Sequence, residues 1–270
     1  MLPNFLGLGA ARSGSTWIAR NLMVHPDVFL PRAKELHYFD WDWDKGSDYY
    51  VQAFSQWSGQ RVCGEVTPGY FHDEAVAPRI KECVPDVKLF VSLRNPVDRA
   101  YSHYWRLANF SLNDESQDPQ SFEEAITKSK DIVEVGYYYK HLERYYQYFD
   151  RNQMLVLLYD DLQTNPENFL RQIYRFLEID DYFHESLVRQ KVNSASSLKD
   201  LAKSKSLWYF QRLMGRIGLF SITGKIHKLN STKIPSMRPE SRSMLVELYE
   251  EPNRRLEEML KRDLSQWRMI

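Results

Sequence analysis

The chain has 270 residues, 43% hydrophobic and 27% charged, with 36 basic side chains balanced by 36 acidic ones. That length suits one large α/β domain with a helical extension, and the composition excludes disorder as the default state. The balanced charge gives no global field for nucleic acid, and no apolar run is long enough to span a membrane.

Two cysteines, Cys63 and Cys83, are too few for a disulfide framework and fit a reducing compartment. The chain opens directly on a strand pattern with no signal peptide, so a cytoplasmic location is expected, with a luminal chain trimmed of its anchor as the alternative. The first stretch is Phe5-Leu6-Gly7-Leu8-Gly9-Ala10-Ala11-Arg12-Ser13-Gly14-Ser15-Thr16-Trp17. It predicts a strand, a small turn and a helix over 15–24, with loop amides and the helix dipole turned toward an anion. Gly9 and Gly14 have the spacing of the P-loop G-x-x-x-x-G-K-[ST], yet Ser15 stands at the lysine position and the cation is Arg12. The phosphate cradle is kept and the usual grip on a triphosphate is missing. An ordinary βα turn is the alternative reading.

Val28-Phe29-Leu30 reads as a short second strand, and Pro31 opens a loop after it. Lys34, Glu35, His37 and Asp40 then fall within seven positions. Loops at the C-terminal ends of strands meet the ligand in open α/β sheets, which makes Glu35 and His37 candidates for proton transfer. A solvated, charged loop is the competing reading. A helix is predicted over 47–57, a strand over 61–66 running into the turn Thr67-Pro68-Gly69-Tyr70, and a helix over 73–83. Residues 87–93 form the clearest buried strand. Arg94 lies just past it, Pro96 suits the first turn of a helix, and Arg94, Arg99 and Ser102 gather there as a second anion-binding arrangement.

Residues 109–119 read as an exposed polar loop, and 121–130 as a modest helix. After Gly136, Tyr138, Leu142, Tyr145 and Phe149 line one face of a helix. A strand over 154–159 and a helix opened by Asn165-Pro166 follow. Between Arg189 and Lys228 there are nine basic residues and one acid, Asp200. Such a segment is either a solvated face or a lid over an anionic ligand. The tail, 239–264, is expected as two helical pieces split at Pro252.

Two anion sites at the ends of two buried strands imply a ligand with two phosphate-like groups. The residues that make them resemble the sulfotransferases that use 3′-phosphoadenosine 5′-phosphosulfate (PAPS). Arg12-Ser13-Gly14-Ser15-Thr16-Trp17 is similar to that family's 5′-phosphosulfate loop. Leu93-Arg94-Asn95-Pro96-Val97-Asp98-Arg99-Ala100-Tyr101-Ser102 is similar to its 3′-phosphate segment. Lys34-Glu35-Leu36-His37-Tyr38-Phe39-Asp40 resembles the heparan-sulfate-type, carbohydrate branch. Gly64-Glu65-Val66-Thr67-Pro68-Gly69-Tyr70 resembles a further family stretch, with Val66 where a lysine is common.

The resemblance implies a P-loop-like three-layer α/β sandwich over 1–270, with a central, mostly parallel sheet, a basic segment at 189–238 and C-terminal helices over 239–264. It implies a PAPS-dependent enzyme that moves a sulfuryl group in-line to an acceptor hydroxyl or amine and releases 3′-phosphoadenosine 5′-phosphate (PAP). Arg12, Ser13, Gly14, Ser15 and Thr16 would hold the 5′ end, and Arg94 and Ser102 the 3′-phosphate. Lys191 and Lys199 would belong to a lid. Trp17 would either stack on adenine or fill the core. Glu35 is the expected base, with His37 as helper or rival, and Arg12 as stabiliser of the leaving charge. Lys34, Asp40, Thr67 and Tyr70 are the expected acceptor contacts. No metal-ligand constellation is present, so none is expected. The alternatives are a P-loop kinase or NTPase, which would need a lysine at Ser15, and a non-catalytic nucleotide-binding module. Acceptor identity and oligomeric state stay open.

Overall fold

A computed structural model describes residues 1–111, 121–189, 201–202, 231–232 and 234–269. Strands β1 (Phe5–Gly9), β2 (Val28–Phe29), β3 (Val62–Val66), β4 (Lys88–Leu93) and β5 (Met154–Leu158) form one sheet in the order β2-β3-β1-β4-β5. Every pair in it is parallel. β1 is central, and the order of strands turns back at it. The loops after β1, β3 and β4 therefore open at one place, the position where such sheets bind ligands.

Buried strands of this kind read as apolar runs because both faces are covered. Alternation assigns the faces. Leu6, Leu8, Leu89 and Val91 point into a core with α3 (Val76–Cys83), α7 (Tyr138–Tyr146) and the last helix, α11 (Pro239–Leu260). Phe5, Val66 and Phe90 point the other way, onto α1 (Ser15–Met23) and α9 (Pro166–Leu177). The three-layer sandwich follows. A third apolar cluster joins α4 (Pro96–Ser111) to α5 (Phe122–Lys128), α6 (Lys130–Val133) and α11 through Val97, Ala100, Ile126 and Leu245.

Local chemistry sets the ends. Asn165 caps α9 by accepting the Asn168 amide, and Ser121 forms a reciprocal capping box with Glu124. Several expectations change. The helix expected over 47–57 ends at Gln52 and runs on only as turns, with amides reaching three residues back. The helix expected from residue 73 starts at Val76, because the Asp73 side chain takes the Ala75 amide in a turn. The tail is one helix through Pro252, where two pieces were expected. Leu245 and Tyr249 before the proline, and Leu256 after it, are buried against the rest of the chain. Their burial outweighs the cost of one lost backbone bond, ~3 kcal/mol. Among the described residues no helix is long and apolar enough to cross a membrane.

Candidate active site

The loop after β1 enters α1 through Gly14, whose φ of 90° favours glycine and whose missing side chain leaves room for Leu162 and Tyr159. No side chain caps α1, so its first amides stay open to an anion. Ser13 and Ser15 are buried and Thr16 is exposed at the helix start. Among the described residues, four non-glycine positions hold positive φ: Arg12, His37, Glu178 and Lys261. Glu178 and Lys261 are helix C-caps, an ordinary use of that conformation. Arg12, at φ 74°, and His37, at φ 53°, are not caps, and both lie in the candidate site, where such strain concentrates.

The two anion sites are joined. Arg12 Nε donates to Ser102 Oγ at 3.0 Å, and Arg94 Nη1 donates to the Arg12 carbonyl at 3.3 Å. Tyr138 Oη donates to the Arg94 carbonyl at 2.8 Å, which ties the β4–α4 junction to α7. Burial pushes the Arg12 guanidinium down to about 10, with the nearby charges of Arg106 and Arg94 adding to the effect. Three guanidinium groups in a partly buried place repel one another, and a ligand with two anionic groups relieves that repulsion. The residues present thus fit the donor that the loop sequences imply. Arg99, by contrast, is fully buried and gives Nη2 to the Ile132 carbonyl, while its charge still acts on Arg12.

The segment after β2 brings ionisable groups to the same place. Lys34 Nζ donates to Glu35 Oε1 at 2.7 Å, to Ser15 Oγ at 3.2 Å and to Thr16 Oγ1 at 3.4 Å. His37 places Nδ1 2.9 Å from Asp40 Oδ2 and Nε2 3.6 Å from Glu35 Oε2. Asp40 is nearly enclosed, whereas Glu35 is 38% exposed. The imidazole is therefore held from behind by Asp40 and aimed at Glu35, an arrangement suited to moving a proton. Trp41 lies flat on His37 with ring centroids 3.7 Å apart and 4° between planes. Its other face is open, with 75% exposure, which is unusual for a tryptophan beside a candidate base.

Thr67 and Tyr70, expected as acceptor contacts, are fully buried and face inward. Both serve Glu65, a buried carboxylate on β3. Glu65 accepts from Tyr50 Oη at 2.7 Å, Tyr70 Oη at 2.9 Å, Thr67 Oγ1 at 2.5 Å and the Leu36 amide at 3.1 Å. The Tyr70 oxygen also accepts the amides of Tyr38 and Phe39, and Thr67 Oγ1 that of Leu36. Burial raises the Glu65 carboxyl, and the four hydrogen bonds work against that rise. This clamp fixes the backbone on both sides of His37. Thr67 and Tyr70 are positioning residues, and Val66 beside them is buried in the core.

Trp17 takes the core alternative: it is 7% exposed, donates Nε1 to the Leu187 carbonyl at 3.1 Å and meets the Phe169 ring edge-on. Lys191 and Lys199, the expected lid lysines, lie outside the described residues. The contact of Lys34 with the first loop, the Glu65 clamp and the Trp41 stack were not read from the sequence. The charge density of 34–40 and the Glu65-x-Thr67 spacing were their visible signals.

The sulfotransferase domain family model matches residues 3–259. Heparan sulfate glucosamine 3-O-sulfotransferase 3B1 of Mus musculus is 29% identical over 273 residues, covering 98% of this chain and 65% of the relative. Bifunctional heparan sulfate N-deacetylase/N-sulfotransferase 4 of Mus musculus is 27% identical over 280 residues, covering 97% of this chain and 30% of the relative. The chain thus spans less than two thirds of the length of these relatives. Among solved structures, a sulfotransferase from Alicyclobacillus acidocaldarius superposes with a TM-score of 0.71 at 25% identity, covering 100% of both chains. The sulfotransferase domain from the curacin biosynthetic pathway shares the fold, with a TM-score of 0.54 at 14% identity over 92% of this chain and 98% of that one. With the family model matched across both anion-binding loops and the segment that carries Glu35, the chain belongs to the sulfotransferase domain family.

Proposed function

We propose that this protein transfers a sulfuryl group from PAPS to a hydroxyl or amine of a carbohydrate acceptor. The observation that carries the reading is the Arg12–Ser102 hydrogen bond, which joins the loop after β1 to α4, while Lys34 links that loop to Glu35. When bound, PAPS supplies the sulfuryl group, and the 3′,5′-bisphosphate departs with the electron pair of the broken S–O bond.

The residues of the chain do the rest. The open amides of α1, with Ser13, Gly14, Ser15 and Thr16, hold the 5′ end, and Arg94 and Ser102 hold the 3′-phosphate. Arg12 stands where charge grows on the leaving oxygen, so its attraction strengthens toward the transition state. Glu35 takes the proton of the acceptor, and His37, steadied by Asp40, orients Glu35 or passes the proton on. The open face of Trp41 offers a flat apolar surface to a sugar ring beside that base. The heparan sulfate names of the relatives support a carbohydrate acceptor. Free Cys63 and Cys83 support a reducing compartment such as the cytoplasm.

The test is transfer of label from PAPS to a panel of oligosaccharides, amino sugars and small hydroxyl compounds. Sulfation of a carbohydrate upholds the proposal. PAPS binding without turnover on any acceptor would recast the chain as a binding module, and magnesium-dependent hydrolysis of a nucleoside triphosphate would recast it as an NTPase.

A further inference from the structure

Ser15 leaves the first loop without the lysine of a P-loop, and the structure brings a lysine to it from elsewhere. Lys34 reaches across from the segment after β2 and sets its ammonium on both hydroxyls at the start of α1, Ser15 Oγ and Thr16 Oγ1. An ammonium has three donors. Here they go to Ser15 and Thr16 on the first loop and to the neighbouring Glu35. Each hydroxyl that accepts from Lys34 keeps its own O–H to give to an anion. Lys34 thus fixes two donors as well as adding a charge.

We propose that Lys34 is a second donor-side cation beside Arg12, gripping the sulfuryl end of PAPS in place of the absent loop lysine and freeing Glu35 for the acceptor as it does so. The assignment rests on the sulfotransferase reading above and moves Lys34 from the acceptor to the donor. In the structure the Lys34–Glu35 pair is closed at 2.7 Å, with the lysine side chain only 16% exposed. Burial works against its charge, the Glu35 contact supports it, and Arg106 opposes it. A sulfuryl oxygen arriving over the α1 terminus competes with Glu35 for the same Nζ. As Lys34 shifts to that oxygen, Glu35 loses the ammonium and is free to take the acceptor proton, with His37 still beside it. In the transfer, the acceptor oxygen forms the new bond to sulfur, the bridging S–O bond breaks toward the bisphosphate, and the acceptor proton goes to Glu35. Lys34 stays charged throughout. Donor grip and base activation are linked because the two side chains are adjacent.

The experiment is calorimetric titration of PAPS and of PAP into the wild-type protein, Lys34→Met, Lys34→Gln and Lys34→Arg, each checked by thermal denaturation. Loss of one charged hydrogen bond predicts that Lys34→Met and Lys34→Gln weaken PAPS by about ten- to a hundredfold and PAP by less than about threefold. Lys34→Arg restores most of the PAPS affinity, which a merely structural role would not require. Once an acceptor is in hand, Lys34→Gln should lower kcat and leave the acceptor KM within about twofold. Unchanged PAPS binding in Lys34→Met or Lys34→Gln overturns the proposal, and a raised acceptor KM with intact donor binding returns Lys34 to the acceptor. A wild-type protein that binds neither nucleotide overturns the donor reading and the Lys34 assignment together.

Discussion

Arg12 Nε and Ser102 Oγ, ninety residues apart in the chain, meet at 3.0 Å. This one contact joins the loop after β1 to α4, so the two strand ends are brought to one place. It also places the strained Arg12 backbone between the groups that would hold the two ends of the donor.

Arg94 is the sharpest test of the 3′ site. Arg94→Ala should weaken PAP by about ten- to a hundredfold, the loss of a charge-assisted contact, and adenosine 5′-phosphosulfate by less than about threefold. Titration calorimetry with both nucleotides separates these outcomes. Equal weakening would place Arg94 in general support of the loop, where its bond to the Arg12 carbonyl already puts it.

Glu35→Gln should reduce kcat by about two to four orders of magnitude while PAP binds within about threefold of wild type. Single-turnover transfer from labelled PAPS reads the chemical step directly. If turnover survives in Glu35→Gln and collapses in His37→Ala, the imidazole is the base.

Tyr70→Phe removes one hydroxyl that serves Glu65 and two backbone amides around His37. We expect a stability loss of ~1–3 kcal/mol in urea unfolding and a lower kcat with acceptor KM unchanged. A raised acceptor KM at unchanged stability would show that the hydroxyl faces the acceptor after all.

Stability should fall on mild acidification. Burial, assisted by Arg99, pushes His103 down to about 3, and burial beside Arg144 does the same to His141. Both are ordinary imidazoles in the unfolded chain, near 6.5. The unfolded state therefore binds more protons between these values. The stability contributed by keeping the rings neutral is complete above about 6.5 and is lost as pH falls from there toward 3. Denaturant unfolding at a series of pH values from about 7.5 to 5 should show that slope, reduced in His103→Gln. An identical slope in the variant would remove His103 as a contributor.

The parts of the site that were legible in the sequence are those written locally. The Gly9-to-Thr16 loop and the run from Arg94 to Ser102 each carry their geometry in consecutive residues, because a strand end followed by a helix start needs few instructions. Thr67 and Tyr70 were misplaced because a polar residue after a strand looks the same whether it faces solvent or a buried carboxylate. Their direction is decided by Glu65, whose ionisable side chain lies in a strand buried on both faces. Lys34 was hidden for another reason. Its partners are reached by folding the segment after edge strand β2 back over β3 to the start of α1. Pro252 shows the reverse error, a strong local signal overruled by the burial of Leu245, Tyr249 and Leu256 around it.

Water is the nucleophile that no sequence change can remove. Glu35 is 38% exposed, so before any acceptor arrives solvent already touches the proposed base. The Glu65 clamp holds the backbone of Leu36, Tyr38 and Phe39 and leaves Glu35 open. On the sulfotransferase reading proposed above, the acceptor itself acts as the stopper, and a poorly fitting one leaves a leak in which sulfate is shed to solvent. Fidelity in such a site is measured as the ratio of acceptor sulfated to donor consumed.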